Sequence, residues 1–442
     1  MSCRRFGKDR NVGKIMTQEN YPRHLTALLE TALVSFRVVN IIGPRQVGKT
    51  TMVRDLFQKG EYITLDEIDI LEAIEAEPVQ QLSDLKEDAA GEPVVIDEAQ
   101  RSKKLALAIK AIVDKDKSKG QFILTGSSNV FAAMDIADSL PGRVVPVKLW
   151  PFTIAEIRKK PPSRLLDWTL QKNPLLKQIN RLEALSRNEY ITLIVEGGFP
   201  EPRELQTRER QNLYCSYVNS VVDYDVRDVS PIRKTDKFRR LIDQIAIRTA
   251  REINLVELSK TIGVKWETIE SYLDVMMRLS LVIKLGAWTS SETKREIKMP
   301  KFHFVDTGMN CALRQFDENS FGLGNAAAAQ IGGLLESFVF NEIYRMLPFQ
   351  SKEFRLYHWR SADRREIDII AEGGNQLVGM EVKASRSVGQ DDFKHLKWFS
   401  KEGPGKSRSF TGIVFYLGEK KLSFGDGCFA LPVGALWADI KI

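Results

Sequence analysis

The stretch Gly43-Pro44-Arg45-Gln46-Val47-Gly48-Lys49-Thr50 matches the pattern G-x-x-x-x-G-K-[ST] and decides how the first part of the chain folds. The apolar run Val38–Ile42 before it predicts a strand, and the residues from Thr51 onward predict an amphipathic helix. In this context the N–H groups of the loop and the helix N-terminus favour a bound phosphate. We therefore expect residues 43–51 to hold a nucleotide, with Lys49 on its phosphates and Thr50 on Mg²⁺.

Two adjacent acidic residues, Asp97 and Glu98, follow the apolar run Val94–Ile96. An aspartate at the end of a strand can hold the Mg²⁺ shell, and the neighbouring carboxylate can orient or deprotonate the attacking water. An apolar run that ends in Asp-Glu is common by itself. Its position after the glycine loop makes it informative, and the two motifs together predict ATP hydrolysis.

A third apolar run, Phe122–Thr125, leads into Gly126-Ser127-Ser128-Asn129. The hydroxyl groups of Ser127 and Ser128 are candidates for sensing the γ-phosphate of a nucleotide. An ordinary Gly-Ser turn explains the same residues equally well.

These segments together resemble the AAA+ ATPases. The likeness is to the prokaryotic group that begins with a Tyr-Pro-Arg-His-Leu-like helix, here Tyr21–Leu25, and ends in a C-terminal domain of unknown function. It extends from about Met16 to the C-terminus. The resemblance implies that Asp97 serves the metal, that Glu98 is the catalytic carboxylate and that Ser127 or Ser128 is the sensor.

The same resemblance draws attention to Arg143, which follows Gly142 in a Gly-Arg pair. An arginine at this place is a candidate finger that stabilises transition-state charge, in cis or from a neighbouring subunit. The alternative is a solvated arginine in a turn.

Length and composition restrict the class of protein. A chain of 442 residues is long enough for two to four domains, and its net charge of +7 arises downstream of the glycine-loop region. The four cysteines (Cys3, Cys215, Cys311, Cys428) form no Cys-x-x-Cys pair, so we expect neither zinc nor a disulfide framework, and a cytoplasmic location. No apolar run is long enough to span a membrane, and residues 1–15 lack the apolar core of a secretory signal.

We predict a multidomain α/β protein with a P-loop parallel-sheet ATPase domain, a helical and winged-helix middle and a restriction-endonuclease-like α/β C-terminal domain. The predicted units are a disordered basic extension, the ATPase domain, a helical linker region, a winged-helix-like domain and a nuclease-like domain, at residues 1–15, 16–152, 153–235, 236–324 and 325–442.

The middle of the chain follows a helix-turn-helix pattern, with helices in 255–260 and 266–279 around Gly263 and wing strands in 281–285 and 301–305. Acidic residues on the second helix would repel DNA phosphates, so an interdomain connector is the favoured interpretation over a base reader. The basic stretch Arg227–Arg240 is a candidate polyanion site, with a solvated helix face as the alternative.

A second set of chemically relevant residues lies near the C-terminus. Asp368 and the sequence Glu381-Val382-Lys383, on neighbouring predicted strands, resemble the PD-(D/E)XK nuclease fold, and Glu336 matches the glutamate that this fold takes from a preceding helix. Alternation along a strand places Glu381 and Lys383 on one face. Asp368 and Glu381 are then candidate ligands of Mg²⁺, with Glu336 and Lys383 completing a catalytic set. A solvated sheet face is the alternative.

The sequence thus predicts an AAA+ ATPase with ATP and Mg²⁺ as cofactors. We expect ATP turnover to drive or gate a nucleic-acid transaction, on DNA or RNA, through the nuclease-like part. The alternative is a nucleotide-dependent signalling or scaffold switch whose C-terminal domain binds a partner without cleaving it. A homo-oligomer or a protein partner is compatible with both.

Overall fold

The computed structural model describes residues 21–126, 142–226, 234–291, 298–322 and 325–442. In chain order its strands are β1 (Val38–Ile42), β2 (Tyr62–Thr64), β3 (Val94–Asp97), β4 (Phe122–Thr125), β5 (Val144–Lys148), β6 (Ile179–Asn180), β7 (Val282–Ala287), β8 (Lys301–Phe304), β9 (Arg355–Arg360), β10 (Glu366–Gly373), β11 (Gln376–Lys383), β12 (Ser409–Tyr416), β13 (Leu422–Ser423), β14 (Cys428–Pro432) and β15 (Asp439–Ile440). Its α-helices are Leu25–Ser35, Lys49–Leu56, Ile68–Ala76, Pro78–Asp88, Leu105–Lys115, Ile154–Ile157, Leu165–Thr169, Arg187–Glu196, Pro200–Arg203, Thr207–Ser220, Thr235–Ile247, Leu255–Ile262, Trp266–Arg278, Thr307–Leu313, Asn325–Met346 and Lys394–Lys401.

The N-terminal part is a five-stranded sheet in the order β2-β3-β4-β1-β5. Every neighbouring pair is parallel, as predicted for an ATPase domain with helical crossovers. The runs of valine and isoleucine in β1 and β3 are buried on both faces, which is typical of a covered parallel sheet. The carboxyl ends of β3, β4 and β1 therefore lie side by side at one edge.

The middle of the chain is mostly helical, as the sequence predicts. The helix Thr207–Ser220 continues into a π-helical turn, Val221–Asp225. The two helices predicted around Gly263 are confirmed, whereas the winged-helix domain stays a prediction: Leu255–Ile262 ends at Gly263 in the left-handed conformation, and Trp266–Arg278 follows. Strands β7 and β8 then form an antiparallel hairpin.

The C-terminal part contains a mixed sheet of eight strands in the order β13-β14-β12-β11-β10-β9-β7-β8. Strands β10 and β11 form the predicted antiparallel hairpin, while β11 and β12 are parallel. The β7–β8 hairpin belongs to this sheet because Gly286 and Ala287 of β7 pair in parallel with Tyr357 and His358 of β9. One sheet thus crosses the boundary predicted at residues 324 and 325.

A buried polar cluster joins the three parts. Arg345 donates hydrogen bonds to the carbonyl oxygens of Phe152 (2.7 Å) and Val305, and it lies 3.9 Å from the Asp306 carboxylate. The N–H group of Ile154 donates to Glu342 at 3.0 Å. Since Glu342 and Arg345 belong to the helix Asn325–Met346, that helix is fixed to the segment that follows β5. Within the described part of the chain, no helix combines the length and apolarity required to cross a membrane.

Candidate functional site

The glycine loop connects β1 to the helix Lys49–Leu56 at the carboxyl edge of the parallel sheet. Gly43 has a φ of +152°, and a Cβ there would lie 2.0 Å from the carbonyl oxygen of Leu149. Gly48 caps the helix in the left-handed conformation, with a φ of +91°. Both glycines are therefore required by the backbone, and the loop leads directly into a helix N-terminus, the expected environment for a phosphate.

The Lys49 side chain is buried against its own loop. Its Nζ donates to the carbonyl oxygens of Gly43 (3.0 Å) and Pro44 (2.8 Å). Burial lowers the pKa of Lys49 to about 8, although the carboxylates of Glu98 and Asp97 act in the opposite direction. The ammonium group thus has only carbonyl partners among the described residues and is desolvated beside the phosphate position.

Three hydroxyl groups donate to the Asp97 carboxylate at the end of β3. Thr50 and Tyr62 donate to Oδ2 at 2.7 and 2.9 Å, and Thr125, the last residue of β4, donates to Oδ1. Burial and the Asp97 charge raise the pKa of Tyr62 to about 12. Asp97 is thereby held rigidly beside the glycine loop. Tyr62 and Thr125 were not singled out from the sequence, although Thr125 ends a predicted strand next to β3.

Glu98 follows in the left-handed conformation, with a φ of +53°. Gln100 donates a hydrogen bond to its carboxylate. A non-glycine residue in this region is uncommon, and such conformations cluster at functional sites. The turn directs the chain away from β3 immediately after Asp97, so the two acidic side chains have different surroundings.

A cavity of about 690 Å³ adjoins the glycine loop. Its lining includes Gly48 and Thr51 from the loop and helix, Tyr21 from the N-terminal segment, and Phe152 and Pro200 from the middle of the chain. Such a volume is large enough for a nucleotide base and sugar, and the aromatic rings suit a base.

Arg23 connects this cavity to the glycine loop. It donates to the carbonyl oxygens of Val47 (2.8 Å) and Trp150 (2.5 Å) and to Glu156 (3.1 Å), and its guanidinium lies 4.4 Å from the centre of the Phe152 ring. On the other side of the loop, Arg45 pairs with Asp225 of the π-helical turn at 2.6 Å. The loop is therefore attached to the middle of the chain at two points, which the sequence did not indicate because the partners are distant along the chain.

The structure does not bring Arg143 to this site. Arg143 precedes β5, and Val144 is paired with Val38 at the start of β1, so Arg143 lies at the edge opposite to the glycine loop. Its guanidinium pairs with Asp114 at 2.5 Å. The prediction of an arginine finger acting in cis is therefore corrected, whereas action on a neighbouring subunit stays a prediction. Ser127 and Ser128 lie outside the described residues.

The C-terminal acidic residues form a second cluster at the hairpin β10–β11. The pairing of β10 with β9 shifts between Ile367 and Ile370, an irregularity that brackets Asp368. Asp368 Oδ2 accepts from the N–H group of Val382 at 2.9 Å. Glu381 pairs with Lys383 at 2.9 Å. The predicted residues are thus brought together at neighbouring strands.

Lys301, which opens β8, also belongs to this C-terminal cluster. Its Nζ lies 2.7 Å from Glu336 and 3.8 Å from Asp368. No sequence signal identified Lys301, because its partners lie on the helix Asn325–Met346 and on β10.

The C-terminal cluster contains more carboxyl groups than ammonium groups, and this imbalance shifts their pKa values. Burial and the Asp368 charge raise the pKa of Glu336 to about 8, although Lys301 opposes this shift. The same two causes raise the pKa of Glu381 well above its usual range, with Lys383 opposing. Burial opposes the charged form of Lys301, but Glu336 and Asp368 outweigh it and raise the pKa of Lys301. Because the carboxylates outnumber the ammonium groups, the excess charge is relieved by proton uptake.

The two sites differ in how well they fit a metal ion. At the loop, the oxygen atoms of Thr50 and Asp97 suit Mg²⁺ and are free of ammonium partners among the described residues. At the C-terminal cluster, Glu381 Oε1 is buried without a hydrogen-bond partner in the described structure, which fits a cation. No three or more His, Cys, Asp or Glu side chains converge on a metal position within those residues.

The described part of the basic stretch is partly engaged within the protein. Arg239 pairs with Asp223 at 2.7 Å, and Lys237 donates to the carbonyl oxygen of Ile262 at 3.1 Å. Lys234 and Arg240 are exposed, and residues 227–233 lie outside the description. On the helix Trp266–Arg278 the acidic side chains Glu267, Glu270 and Asp274 are exposed, as expected from the sequence.

Comparisons with protein families divide the chain in three. Residues 35–158 match the AAA domain, residues 187–320 match a domain of unknown function (DUF8612), and residues 331–436 match another domain of unknown function (DUF4143). The first match and the parallel sheet show that the N-terminal part is a P-loop ATPase domain, as predicted. The nuclease-like resemblance of the C-terminal part stays a prediction.

Similar proteins occur in several organisms. The chain is 25% identical to the uncharacterized protein Rv2008c of Mycobacterium tuberculosis, over 93% of this chain and 83% of that protein. It is 21% identical to an uncharacterized protein of Haemophilus influenzae, over 83% of this chain and 86% of that protein. Among solved structures, it is similar to the Walker-type ATPase paby2304 of Pyrococcus abyssi, with a TM-score of 0.42 and 14% identity over 65% of this chain and 93% of that one.

Proposed function

We propose that this protein binds ATP with Mg²⁺ at the glycine loop and hydrolyses it. The observation that carries the proposal is the convergence of Thr50, Tyr62 and Thr125 on Asp97, directly beside the loop. Asp97 is held by these three hydroxyl groups and by the N–H group of Glu98, with no ammonium group bonded to it among the described residues, so its oxygen atoms can serve a cation. Mg²⁺, when bound, neutralises charge on the phosphates.

Each residue of the loop site has a distinct task. The N–H groups of residues 45–51 hold the phosphates, and Lys49 exchanges its two carbonyl partners for phosphate oxygens. Thr50 and Asp97 hold the metal, and Glu98 orients the attacking water. The cavity beside Gly48 receives the base next to the packed rings of Tyr21 and Phe152, whose centres lie 5.1 Å apart.

The test is nucleotide binding and turnover by three variants. Lys49→Ala removes the phosphate-binding ammonium and should weaken ATP binding. Glu98→Gln preserves size but removes the carboxylate, so it should bind ATP and turn it over slowly. Lys86→Ala is a matched control, because Lys86 pairs with Asp116 away from the loop. Wild-type protein that hydrolyses ATP no faster than Glu98→Gln, with and without DNA, would contradict the proposal.

We also propose that ATP turnover gates a nucleic-acid transaction at the C-terminal cluster. The helix Asn325–Met346 supports a mechanical link, because it carries Glu336 at that cluster and Glu342 and Arg345 at the contact with the ATPase domain. Asp368 and Glu381 would hold a divalent cation that activates water near a phosphodiester, and Lys383 would position that water. The unpartnered oxygen of Glu381 favours this assignment.

The gating proposal is tested with plasmid DNA, ATP and Mn²⁺. Asp368→Ala should abolish cleavage and leave ATP hydrolysis unchanged, because the two sites lie in different sheets. Asp363→Ala, an exposed aspartate before β10, serves as the control. Equal nicking by wild type and Asp368→Ala would favour the alternative, a nucleotide-dependent switch whose C-terminal part binds a partner without cutting.

A further inference from the structure

The Lys301 ammonium occupies a cation position in the C-terminal cluster. Its side chain is only 10% exposed and approaches both Glu336 (2.7 Å) and Asp368 (3.8 Å). It belongs to β8 of the β7–β8 hairpin, whereas both partners belong to the part that matches the third domain family. The cluster is thus completed by a residue from another part of the chain.

The carboxylate oxygens that face Lys301 accept no other hydrogen bond among the described contacts of this cluster. Asp368 Oδ2 is taken by the N–H group of Val382, and Glu381 Oε2 by Lys383. Asp368 Oδ1 and Glu336 Oε1 therefore face the ammonium, while Glu381 Oε1 has no hydrogen-bond partner in the described structure. A divalent ion held by the free oxygens would lie close to the Lys301 charge and be repelled by it.

We propose that Lys301 is the resident cation of the cluster and is the residue that decides whether the cluster takes a divalent ion. This inference shares with the proposed function only the carboxylates that both concern. Three acidic groups, Glu336, Asp368 and Glu381, lie beside two ammonium groups, Lys301 and Lys383. With all three carboxyl groups ionised around a bound ion, removing the Lys301 charge leaves an excess of two negative charges, which matches Mg²⁺ or Mn²⁺. With Lys301 in place the cluster binds such ions weakly.

The test measures Mn²⁺ binding to the nucleotide-free full chain, from the electron paramagnetic resonance signal of free Mn²⁺. Lys301→Met should bind Mn²⁺ at least about tenfold more tightly than wild type, since one like charge is removed within a few ångströms. Lys301→Met combined with Asp368→Ala should lose that gain. The control is Lys298→Met, because Lys298 is an exposed lysine near the carbonyl oxygen of Arg360.

Each result decides the proposal. Wild-type protein that binds Mn²⁺ as tightly as Lys301→Met overturns it, and so does a Lys301→Met variant without the gain, which would make Lys301 a purely structural ion pair. If Lys301→Met unfolds cooperatively only with Mn²⁺ present, the ion has replaced the ammonium, as proposed. Failure to fold both with and without Mn²⁺ overturns the proposal. Since neither ATP nor nucleic acid is used, failure of the proposed function leaves this result intact.

Discussion

Asp97 in the N-terminal sheet and Asp368 in the C-terminal sheet are both buried carboxylates, but they have different partners. Asp97 accepts hydrogen bonds from three hydroxyl groups and from the N–H group of Glu98, and the nearby ammonium of Lys49 is turned toward backbone carbonyls. Asp368 accepts from a backbone N–H group and lies near Lys301, in a cluster where Glu336 and Glu381 each have an ammonium partner.

This difference shows that similar acidic residues can form a site open to a metal ion in one sheet and a site that already contains ammonium groups in another. Hydroxyl groups orient a carboxylate without neutralising it, so the loop site is ready for a metal–nucleotide complex. In the C-terminal cluster, Lys301 and Lys383 offset part of the charge of three carboxylates, so two ammonium groups already lie where a metal would bind.

The largest effect is expected from Asp97→Asn, which removes the charge and keeps the shape of the side chain. We expect ATP turnover to fall at least about a hundredfold, because the metal loses an anionic ligand. The control is Asp114→Asn at the opposite sheet edge, where Asp114 pairs with Arg143. Steady-state hydrolysis at saturating ATP is the measurement, and a loss below about tenfold would contradict the assigned role.

Glu336→Gln tests whether the C-terminal cluster holds more carboxyl groups than its ammonium groups can balance. The folded pKa of Glu336 lies near 8, above its ordinary value, so its contribution to stability is present below pH 4.5 and lost as pH rises through 8. Glutamine is neutral throughout. We expect the variant to be more stable than wild type by several kcal/mol above pH 8, with the difference vanishing near pH 4. Denaturant unfolding across this range measures it, and a difference independent of pH would contradict the shift.

Arg23→Gln tests whether the attachment of the glycine loop matters for binding. The variant loses the guanidinium contacts to Val47, Trp150 and Glu156, so the loop should become less well positioned. We expect ATP affinity to fall about tenfold, with partial recovery in Arg23→Lys. Titration with a fluorescent nucleotide, alongside an unfolding curve for each variant, separates loss of binding from loss of stability. Unchanged affinity in a stable variant would show that the attachment is only structural.

The smallest expected effect concerns the Lys49 charge. Because the pKa of Lys49 is lowered to about 8 in the free protein, the lysine loses its proton as pH rises through that value. ATP affinity should therefore fall several-fold between about pH 7.5 and 9, and binding at the higher pH should take up a proton. Lys49→Arg keeps its charge and should show no such dependence. Calorimetry in buffers of different ionisation enthalpy measures the proton uptake.

The local parts of the fold could be predicted from the sequence. The runs Val38–Ile42 and Phe122–Thr125 are strands with the predicted bounds, because valine, isoleucine and phenylalanine runs next to turn residues have few alternatives. The helices around Gly263 were also predicted from local sequence, because glycine readily adopts the left-handed conformation that ends the first helix.

Contacts between distant segments could not be predicted. Lys301 begins a strand whose local sequence gives no sign of Glu336, and Arg23 gives no sign of Val47 or Glu156. Arg143 illustrates the converse, because a Gly-Arg pair looks alike at either edge of a parallel sheet. Only the pairing of Val144 with Val38 determines the edge.

The parallel pairing of β7 with β9 has a consequence for any fragment of this protein. A fragment that begins at residue 325 would lack β7 and leave the N–H and C=O groups along one side of β9 without partners. Unprotected edge strands recruit further strands, so such a fragment is expected to self-associate. A fragment that begins before the β7–β8 hairpin would keep this side of β9 paired with β7 and is expected to remain monodisperse at higher concentration.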